Sequence, residues 1–403
     1  MLPTPRGSTL MGFMRTARQR YVWIALALVL HLAPAVRDGW QSGGAPRVEF
    51  AVRDAVRLPP TVEPPLCREE FVLSQATTPF AHVSSLCEIG GGRLAAVWCG
   101  GSREGARDVA VWSATRGPLD NDPWSSPRPI VTRDSAAQET FRFVRKLGNP
   151  LLMAEKEGRL SLLYVSVGVG GWSGSSLNLK QSLDGGETWS PSQRLGLSPF
   201  FNVSELVKNN AQPLTDGGWA VPVYHEALGK FPEVLWLQPG PGRVEAVKSR
   251  AFGGRSAFQP ALVALAPQRA LLLCRTAGSV PEIFITRTDD AGRHWTAPRP
   301  SGLPNPNSGL DALRLRDGRL LLTFNDTTAN RENLRLALSS DEGVTWRRAG
   351  TLAEEPGEEF SYPFLLQASD GRVHVTYTWK RRNITHVTFN LAWLDSQADG
   401  KTP

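Results

Sequence analysis

The 403-residue sequence predicts an all-β fold, a six-bladed β-propeller, and two repeated patterns carry this prediction. A turn followed by an apolar, strand-like run occurs six times, at intervals of roughly 50 to 66 residues, which is near the length of a four-stranded blade. A short box that ends in tryptophan occurs three times between these runs. Patterning with the period of a helix is nearly absent, so the repeated unit is built from strands.

The six apolar runs mark the second strand of each unit. In chain order they are GGRLAAVW (91–98), EGRLSLLY (157–164), GGWAVPVY (217–224), PQRALLLC (267–274), DGRLLLTF (317–324) and DGRVHVTY (370–377). A short strand precedes each run and two more follow it, so each unit is predicted to be a four-stranded sheet. No long linker interrupts the period, and we therefore expect one domain over residues 46–395. A lone strand at 46–52, PRVEFAV, is expected to complete the last unit and close the ring.

The boxes have the form Ser/Thr-x-Asp-x-Gly-x-Thr-Trp, with histidine replacing the second threonine once. They are SLDGGETW (182–189), TDDAGRHW (288–295) and SSDEGVTW (339–346). Aspartate and glycine favour tight turns, and a buried tryptophan fastens such a turn to its strands. The boxes resemble the Asp-box repeats of the sialidase (neuraminidase) superfamily, whose members are six-bladed β-propellers. The resemblance implies a sialidase-like propeller with Asp-box hairpin turns, but such turns lie away from the pocket and indicate fold rather than activity.

The first 35 residues are predicted to be a signal peptide. Four arginines precede the apolar stretch 21–35, which ends in Ala33-Pro34-Ala35, a pattern typical of a cleavage site. The stretch is shorter than the about 20 apolar residues that a membrane span needs. We therefore expect export to the periplasm or the extracellular space. The alternative is an uncleaved segment that anchors the chain in the membrane. Residues 396–403 form a C-terminal tail.

Charge and composition exclude several classes of function. The formal net charge is +7, but the leader arginines account for part of it and the body carries roughly +3, which does not suggest a nucleic-acid partner. No Gly-rich phosphate loop, His-x-x-x-His pair or calcium loop occurs, so no cofactor and no metal are predicted. The four cysteines lack zinc-site spacing. Cys87 and Cys99 flank a Gly-rich turn and could form a disulfide or remain buried thiols.

The candidate pocket follows from the propeller geometry, because inner strands converge on the central axis and polar residues at one end of them share a pocket. The inner strands offer His82, Asn149, Asn209 or Asn210, Gln259, Ser308 with Asp311, and Tyr362. The ends of the second strands offer Arg103, Glu104, His225, Glu226, Arg275, Asn325 and Arg381, with Arg331 one turn further on. We expect these polar residues to bind an acidic glycan, although each one alone could be a structural or surface residue.

The resemblance implies roles for some of them. Sialidases hold the carboxylate of their substrate with three arginines, since a guanidinium group matches a carboxylate with two parallel hydrogen bonds. Arg275 and Arg331 resemble two of these arginines, and Arg103 resembles a further one of the first blade. Tyr362 resembles the family's tyrosine nucleophile. Glu104 and Asp108 lie on the loop where the family carries its acid/base residue.

Two positions depart from the family. His82, in AHVSS, stands where sialidases begin their first blade with an Arg-Ile-Pro triplet. Gln259 stands where the glutamate that activates the tyrosine is expected, and an amide cannot act as a base. Tyr362 then needs another activator, for which Glu226 and Glu358 are candidates. Alternatively, His82 and Tyr362 together could catalyse β-elimination beside a uronate carboxylate.

The sequence thus predicts an exported glycoside hydrolase of the exo-α-sialidase type that removes a terminal acidic sugar. One alternative is a hydrolase or lyase of the same fold that acts on a uronate-containing or other non-sialic polysaccharide. The other is a propeller that binds carbohydrate without turnover.

Overall fold

The computed structural model describes residues 21–23, 45–52, 55, 63–73, 77–155, 158–197, 202–240 and 243–399. The predicted signal segment therefore lies outside the described residues except for 21–23, as does the end of the predicted tail from residue 400. No helix within the described part is long and apolar enough to cross a membrane.

The described residues form six sheets of antiparallel strands, which we number as blades I to VI. Strand β1 (Cys67–Phe71) comes first and belongs to the last blade. Blade I contains β2 (Phe80–Ile89), β3 (Arg93–Gly101), β4 (Ala110–Arg116) and β5 (Arg128–Val131). Blade II contains β6 (Lys146–Ala154), β7 (Leu160–Val167), β8 (Ser175–Ser182) and β9 (Gln193–Arg194), and helix α1 (Arg133–Thr140) precedes it.

Blade III contains β10 (Leu206–Val207), β11 (Gln212–Pro213), β12 (Trp219–His225), β13 (Phe231–Gly240) and β14 (Arg243–Arg250). Blade IV contains β15 (Ala257–Ala264), β16 (Ala270–Thr276), β17 (Glu282–Thr288) and β18 (Arg299–Pro304). Blade V contains β19 (Asp311–Arg314), β20 (Leu320–Phe324), β21 (Asn333–Ser339) and β22 (Arg347–Glu354). Blade VI contains β23 (Phe360–Gln367), β24 (Val373–Trp379) and β25 (Asn383–Phe389), followed by helix α2 (Leu391–Asp399).

The predicted six-bladed propeller is confirmed, since each apolar run forms the second strand of a blade. The central strands are buried on both faces between neighbouring blades, as β7 and β15 show along their whole length. A strand that is buried on both faces needs apolar residues at almost every position. This is why the repeats are visible in the sequence.

The strand that closes the ring is β1, and the prediction that residues 46–52 do so is wrong. Strand β1 pairs with β25 from Cys67 opposite Phe389 to Phe71 opposite Thr385. In the earlier segment, Phe50 makes an isolated bridge with Leu214 of blade III, and its backbone N donates to Pro267 O at 2.9 Å. Phe50 is 1% exposed, and its ring centroid lies 6.2 Å from that of Trp236. The apolar residues of this segment therefore fill a space beside blade III and do not complete blade VI.

The predicted Asp-box turns lie between the third and fourth strands of blades II, IV and V. In the first box, Gly186 N donates to Ser182 Oγ at 2.8 Å, and Thr188 N donates to Asp184 Oδ1 at 2.9 Å. Gly186 has a φ of 94°, which explains the glycine. Because each inner strand starts at the pocket end, the third strands end at the opposite face. The boxes therefore brace the face away from the pocket.

The four cysteines are free, so of the two alternatives the structure shows thiols. The β2–β3 register places Cys87 opposite Ala95 and Cys99 opposite His82. The two sulfur atoms are thus on different rungs of the hairpin.

Candidate active site

Four inner strands carry a bulge near their start, at the same end of the propeller. The bulged residues are Val83, Asn149, Gln259 and Tyr362, with φ values of 54°, 39°, 48° and 53°. A bulge interrupts the ladder and re-aims a side chain, and the left-handed backbone of a non-glycine residue is strained. Proline follows three of these residues, at positions 150, 260 and 363. It is tolerated there because the missing N–H falls at a break in the ladder.

The bulges surround a cavity of about 210 Å³, which we call the axial cavity. Six residues that the sequence singled out by position or resemblance line it: His82, Glu104, Asn149, Gln259, Arg275 and Tyr362. Glu226, which was a candidate activator of Tyr362, lines it too. The other lining residues are Val83, Trp172, Tyr224, Lys230 and Phe258.

Arg275 brings a positive charge to the cavity. Its Nη1 lies 3.1 Å from Gln259 Oε1 and 3.4 Å from the Tyr362 hydroxyl oxygen. Its Nε donates to Asn307 Oδ1 at 2.7 Å. These partners are all neutral, and within the described residues Arg275 forms no ion pair. Its charge can therefore pair with an anion of a ligand.

The floor of the cavity is a neutral network centred on Tyr224. The side-chain amides of Asn149 and Gln259 both donate to the Tyr224 hydroxyl oxygen, each at 3.1 Å. Burial raises the pKa of Tyr224 well above its ordinary value, so the phenol remains protonated. Neither hydrogen bond uses the Tyr224 hydroxyl proton, which leaves it able to donate to a ligand oxygen.

His82 packs edge-on against Tyr362, with ring centroids 4.5 Å apart. The imidazole is 4% exposed, and its buried Nδ1 has no hydrogen-bond partner among the described residues. Burial, together with the charge of Arg381, lowers the pKa of His82 to about 3. The ring is therefore neutral near pH 7 and presents an unused polar atom beside Tyr362.

The two carboxylates of the cavity differ in their surroundings. Glu104 is largely exposed and pairs with Arg381. Glu226 is half-buried, and burial raises its pKa against the opposing charges of Lys230 and Arg275. A raised pKa makes Glu226 the more suitable proton donor of the two.

Asp108 is placed differently, although it lies on the same loop as Glu104. It accepts hydrogen bonds from the backbone N and the hydroxyl of Ser102, both at 2.9 Å. It does not line the axial cavity. In this structure Asp108 stabilises the loop.

The other three predicted arginines do not line the cavity. Arg331 and Arg381 both pair with Glu359, at 3.1 Å and 2.7 Å. Burial disfavours the Glu359 carboxylate, but hydrogen bonds from Arg381 and Ser361 and the charge of Arg331 lower its pKa to about 2. The two guanidinium groups are thus already matched by a carboxylate. The Arg103 side chain is exposed.

Asn210, Asp311 and Asn325 lie deeper, at the hub of the propeller, whereas His225 is outside both the hub and the axial cavity. The carboxylate of Asp311 accepts from Asn210 Nδ2 at 3.1 Å and from Leu365 N at 2.8 Å. Asn325 donates to the backbone oxygens of Asn333 and Phe360. These contacts join the inner parts of blades III, V and VI, so the side chains hold the hub together.

Lys208 is a hub residue that the sequence analysis missed. It is 1% exposed, and its Nζ donates to Asn209 Oδ1, Leu310 O and Pro363 O. A Cβ atom on Gly309 would lie 3.6 Å from Lys208 Cε and 3.5 Å from Tyr362 Cδ1. Lys208 therefore lies close behind the Tyr362 ring and holds the residue that follows it.

Trp172 and Tyr224 were missed as well, although the sequence carries a signal for each. Tyr224 ends the third apolar run, directly before His225. Trp172 lies after β7 in a Gly-rich loop, and its indole fills the space where a Cβ on Gly148 would come within 2.6 Å. Lys146 Nζ lies 3.7 Å from the centroid of the Trp172 ring. The glycine in the inner strand is thus required by the packing of the tryptophan.

No group of three or more histidine, cysteine, aspartate or glutamate side chains in the described ranges could hold a metal ion. The ionisable groups of the axial cavity are a guanidinium group, an amine, two phenols, an imidazole and two carboxylates.

Comparison with known proteins places this architecture in a family. Residues 92–375 match the family of BNR repeat-like domains, and the chain belongs to that family. No curated protein sequence matches the chain.

Solved structures share the fold. A leech intramolecular trans-sialidase is 12% identical, covers 82% of this chain and 70% of its own, and has a TM-score of 0.64. A Hadza microbial sialidase is 18% identical over 79% of this chain and 68% of its own, with a TM-score of 0.63. A protein of unknown function from Dyadobacter fermentans is 14% identical over 80% of this chain and 99% of its own, also with a TM-score of 0.63. At these identities the similarity shows a sialidase-like propeller fold.

Proposed function

We propose that this member of the BNR repeat-like domain family is a glycoside hydrolase that removes a terminal acidic sugar, in the manner of an exo-α-sialidase. The observation that supports this most directly is the position of Arg275. Its guanidinium group faces the axial cavity with neutral partners and lies 3.4 Å from the Tyr362 hydroxyl. A sugar carboxylate bound by Arg275 would bring the adjacent anomeric carbon close to Tyr362.

In the proposed reaction, the Tyr362 oxygen attacks the anomeric carbon as the bond to the leaving oxygen breaks. Glu226 gives its proton to the leaving oxygen, and Glu104 takes the phenol proton. Water then attacks the tyrosyl-bound sugar, with Glu226 taking a proton from the water and Glu104 returning one to Tyr362. A phenol that is neutral before attack avoids repulsion by the sugar carboxylate, which explains why a tyrosine can serve as the nucleophile.

The solved structures described above support the choice of sugar. Two of them are, by their titles, a sialidase and an intramolecular trans-sialidase. They share the propeller with this chain, and the leech enzyme was complexed with 2,7-anhydro-Neu5Ac by soaking with 3′-sialyllactose.

A second candidate, β-elimination on a uronate-containing polysaccharide, is favoured by His82. Its unpartnered Nδ1 and its contact with Tyr362 place a neutral base beside a phenolic acid. His82 would take the proton at C5 of the uronate, and Tyr362 would give its proton to the oxygen that leaves C4. The C4–O bond breaks and a C4=C5 double bond forms. Arg275 would hold the uronate carboxylate.

We also propose that the chain is exported, on the strength of the basic and apolar leader at residues 1–35. The secreted protein should begin after Ala35 when its N-terminus is sequenced. A full-length N-terminus in the membrane fraction would favour the anchored alternative.

The test of function uses a fluorogenic N-acetylneuraminic acid glycoside and, in parallel, the absorbance of an unsaturated uronate released from a polyuronate. Tyr362→Phe and Arg275→Ala are compared with Tyr164→Phe, whose hydroxyl bonds to Ser192 away from the cavity. Fluorophore release that both pocket variants abolish and the control retains supports the hydrolase. Unsaturated product lost in His82→Gln supports elimination. Tight binding of either glycan without turnover would overturn both enzyme proposals.

A further inference from the structure

A second concave site lies beside the axial cavity, at the same end of the propeller. It is a groove of about 410 Å³ between the β12–β13 loop and the segment that links β14 to β15. Its walls include His225, Phe231, Arg250 and Arg255, with Gly229 and Gly254 between them. We call it the rim groove.

The rim groove is basic. Arg250 and Arg255 are exposed, and neither forms an ion pair within the described residues. The carboxylates of Glu205 and Glu233, which interact by charge with His225 and Arg250, are buried and share Lys248 at 2.8 Å and 3.0 Å. Glu226, in the β12–β13 loop, interacts by charge with Lys230 and Arg275. Glu205, Glu233 and Lys248 together carry one net negative charge, whereas Arg250 and Arg255 carry two positive charges. The groove therefore keeps an excess of positive charge.

The wall of the groove is a stack of rings that fixes one of these charges. His225 lies parallel to Phe231, with ring centroids 4.8 Å apart and an interplanar angle of 9°. The Arg250 guanidinium carbon lies 4.0 Å from the centroid of the same Phe231 ring. Stacking restricts the guanidinium group without using its hydrogen-bond donors, so the donors remain free for a ligand.

Lys230 connects the groove to the axial cavity. Its side chain lines the cavity, with Nζ 5.0 Å from the centroid of the Phe258 ring. Its backbone N donates to Gly254 O in the groove at 3.0 Å. Cationic side chains thus line both sites: Arg275 and Lys230 line the cavity, where Glu226 is beside them, and Arg250 and Arg255 line the groove.

We propose that the rim groove binds a second acidic unit of the same glycan, so that the preferred substrate carries an acidic sugar directly before the terminal one. The inference rests on the proposed function for the terminal unit, but the groove itself is a separate binding site. The ligand class is an oligosaccharide with carboxylates on adjacent units. Arg250 and Arg255 bind the inner carboxylate, and Arg275 binds the terminal one.

The test compares an α-linked N-acetylneuraminic acid dimer with sialyllactose, which has a neutral inner unit, and a galacturonic acid dimer with its monomer. Affinity is measured by calorimetry on the full chain carrying Tyr362→Phe, with and without Arg250→Gln and Arg255→Gln together. The matched control is the pair Arg299→Gln and Arg347→Gln, which removes two exposed charges on outer strands. We expect the variant with Arg250→Gln and Arg255→Gln, which we call the groove variant, to bind a dimer roughly tenfold more weakly. Its affinity for a ligand with a single acidic unit should fall only slightly, and the loss for the dimer should be smaller at high salt.

Turnover by the chain with Tyr362 intact separates the two proposals. Equal affinity of the groove variant and its control for both dimers overturns the rim groove, whatever the activity. If groove substitutions weaken dimer binding in a chain that hydrolyses neither substrate, the hydrolase proposal fails and the groove stands. A preference for the galacturonic acid dimer would assign the acidic units as uronates.

Discussion

Removing the buried charge of Lys208 tests how the hub supports the site. Lys208 and Asp311 are both fully enclosed, and desolvation lowers the pKa of the amine and raises that of the carboxyl. Lys208→Met keeps most of the side-chain volume and removes the charge. Three buried oxygens, on Asn209, Leu310 and Pro363, then lose a donor, and Asp311 loses the cation whose charge favours its ionised form.

The expected cost follows from these losses. Breaking a buried ionic arrangement by removing one partner costs about 3–5 kcal/mol, since an uncompensated charge remains. The propeller has roughly 330 residues, and unfolding entropy is about 2.1 cal/mol/K per residue, so this corresponds to a fall in Tm of about 4–7 °C. Pro363 follows Tyr362 directly, and we therefore also expect lower kcat at temperatures where the variant is fully folded.

The assay is calorimetric unfolding of Lys208→Met, Asp311→Asn and the double variant, each also tested for turnover or glycan binding. The double variant should recover part of the lost stability, because neither charge is then left alone. The pH dependence of stability gives a further test, because the Lys208 pKa is lower in the folded chain than in the unfolded chain. The protonated amine therefore destabilises the fold at pH values below its folded pKa. This destabilisation disappears as pH rises from the folded pKa to the ordinary lysine pKa. Additive losses in the double variant, or a Tm unchanged in Lys208→Met, would refute the reasoning.

Three further outcomes are expected. Burial lowers the pKa of His374 to about 2, so the neutral imidazole stabilises the fold fully at pH values above the ordinary histidine pKa. Below that pKa, the free energy of unfolding falls by up to about 1.4 kcal/mol per pH unit. The urea midpoints at pH 7 and pH 5 should therefore differ more in the wild type than in His374→Gln. Gly309→Ala should depress turnover by displacing the Gln259 amide, since the added Cβ would lie 3.1 Å from Gln259 Oε1, whereas Gly196→Ala, with open space around it, should not; equal activities would contradict the close packing. Maleimide labelling of the folded protein, followed by mass spectrometry, should modify the exposed Cys67. It should spare the buried thiols of Cys87, Cys99 and Cys274 until the protein unfolds, and early labelling of any of these three would contradict their burial.

The strands that the sequence revealed are those buried on both faces. Their apolar runs are long, and the turns before them contain glycine, so the period is visible without any knowledge of pairing. Strand β1 is different: its sequence, CREEF, is charged, and it pairs only along one edge. Exposed edge strands carry charge because it discourages pairing with other chains. The apolar segment around Phe50 therefore resembled a strand more closely than the true closing strand did.

Much of the site was also predictable, because the bulges fall at equivalent positions in four of the six units. Gln259 and Tyr362 each precede a proline that a regular inner strand would not accept, and His82 stands just before the bulged Val83. What the sequence could not provide was the pairing of charges. Arg331 and Arg275 both lie near the end of the propeller that carries the axial cavity, yet Glu359 forms an ion pair only with Arg331. That difference depends on side-chain geometry between blades.

The distribution of charge also bears on the length of glycan that can enter. The axial cavity, at about 210 Å³, is smaller than the roughly 300–1,000 Å³ of common ligand pockets, so it suits one terminal sugar better than an internal stretch of chain. Glu359 already balances Arg331 and shares Arg381 with Glu104. Arg275 and Lys230 line the cavity without an ion pair among the described residues, and Glu226 is the carboxylate whose charge opposes theirs. A terminal unit with one carboxylate satisfies Arg275. Lys230 lies toward the rim groove, and its charge favours a glycan whose next unit is also acidic over one that continues with neutral sugars.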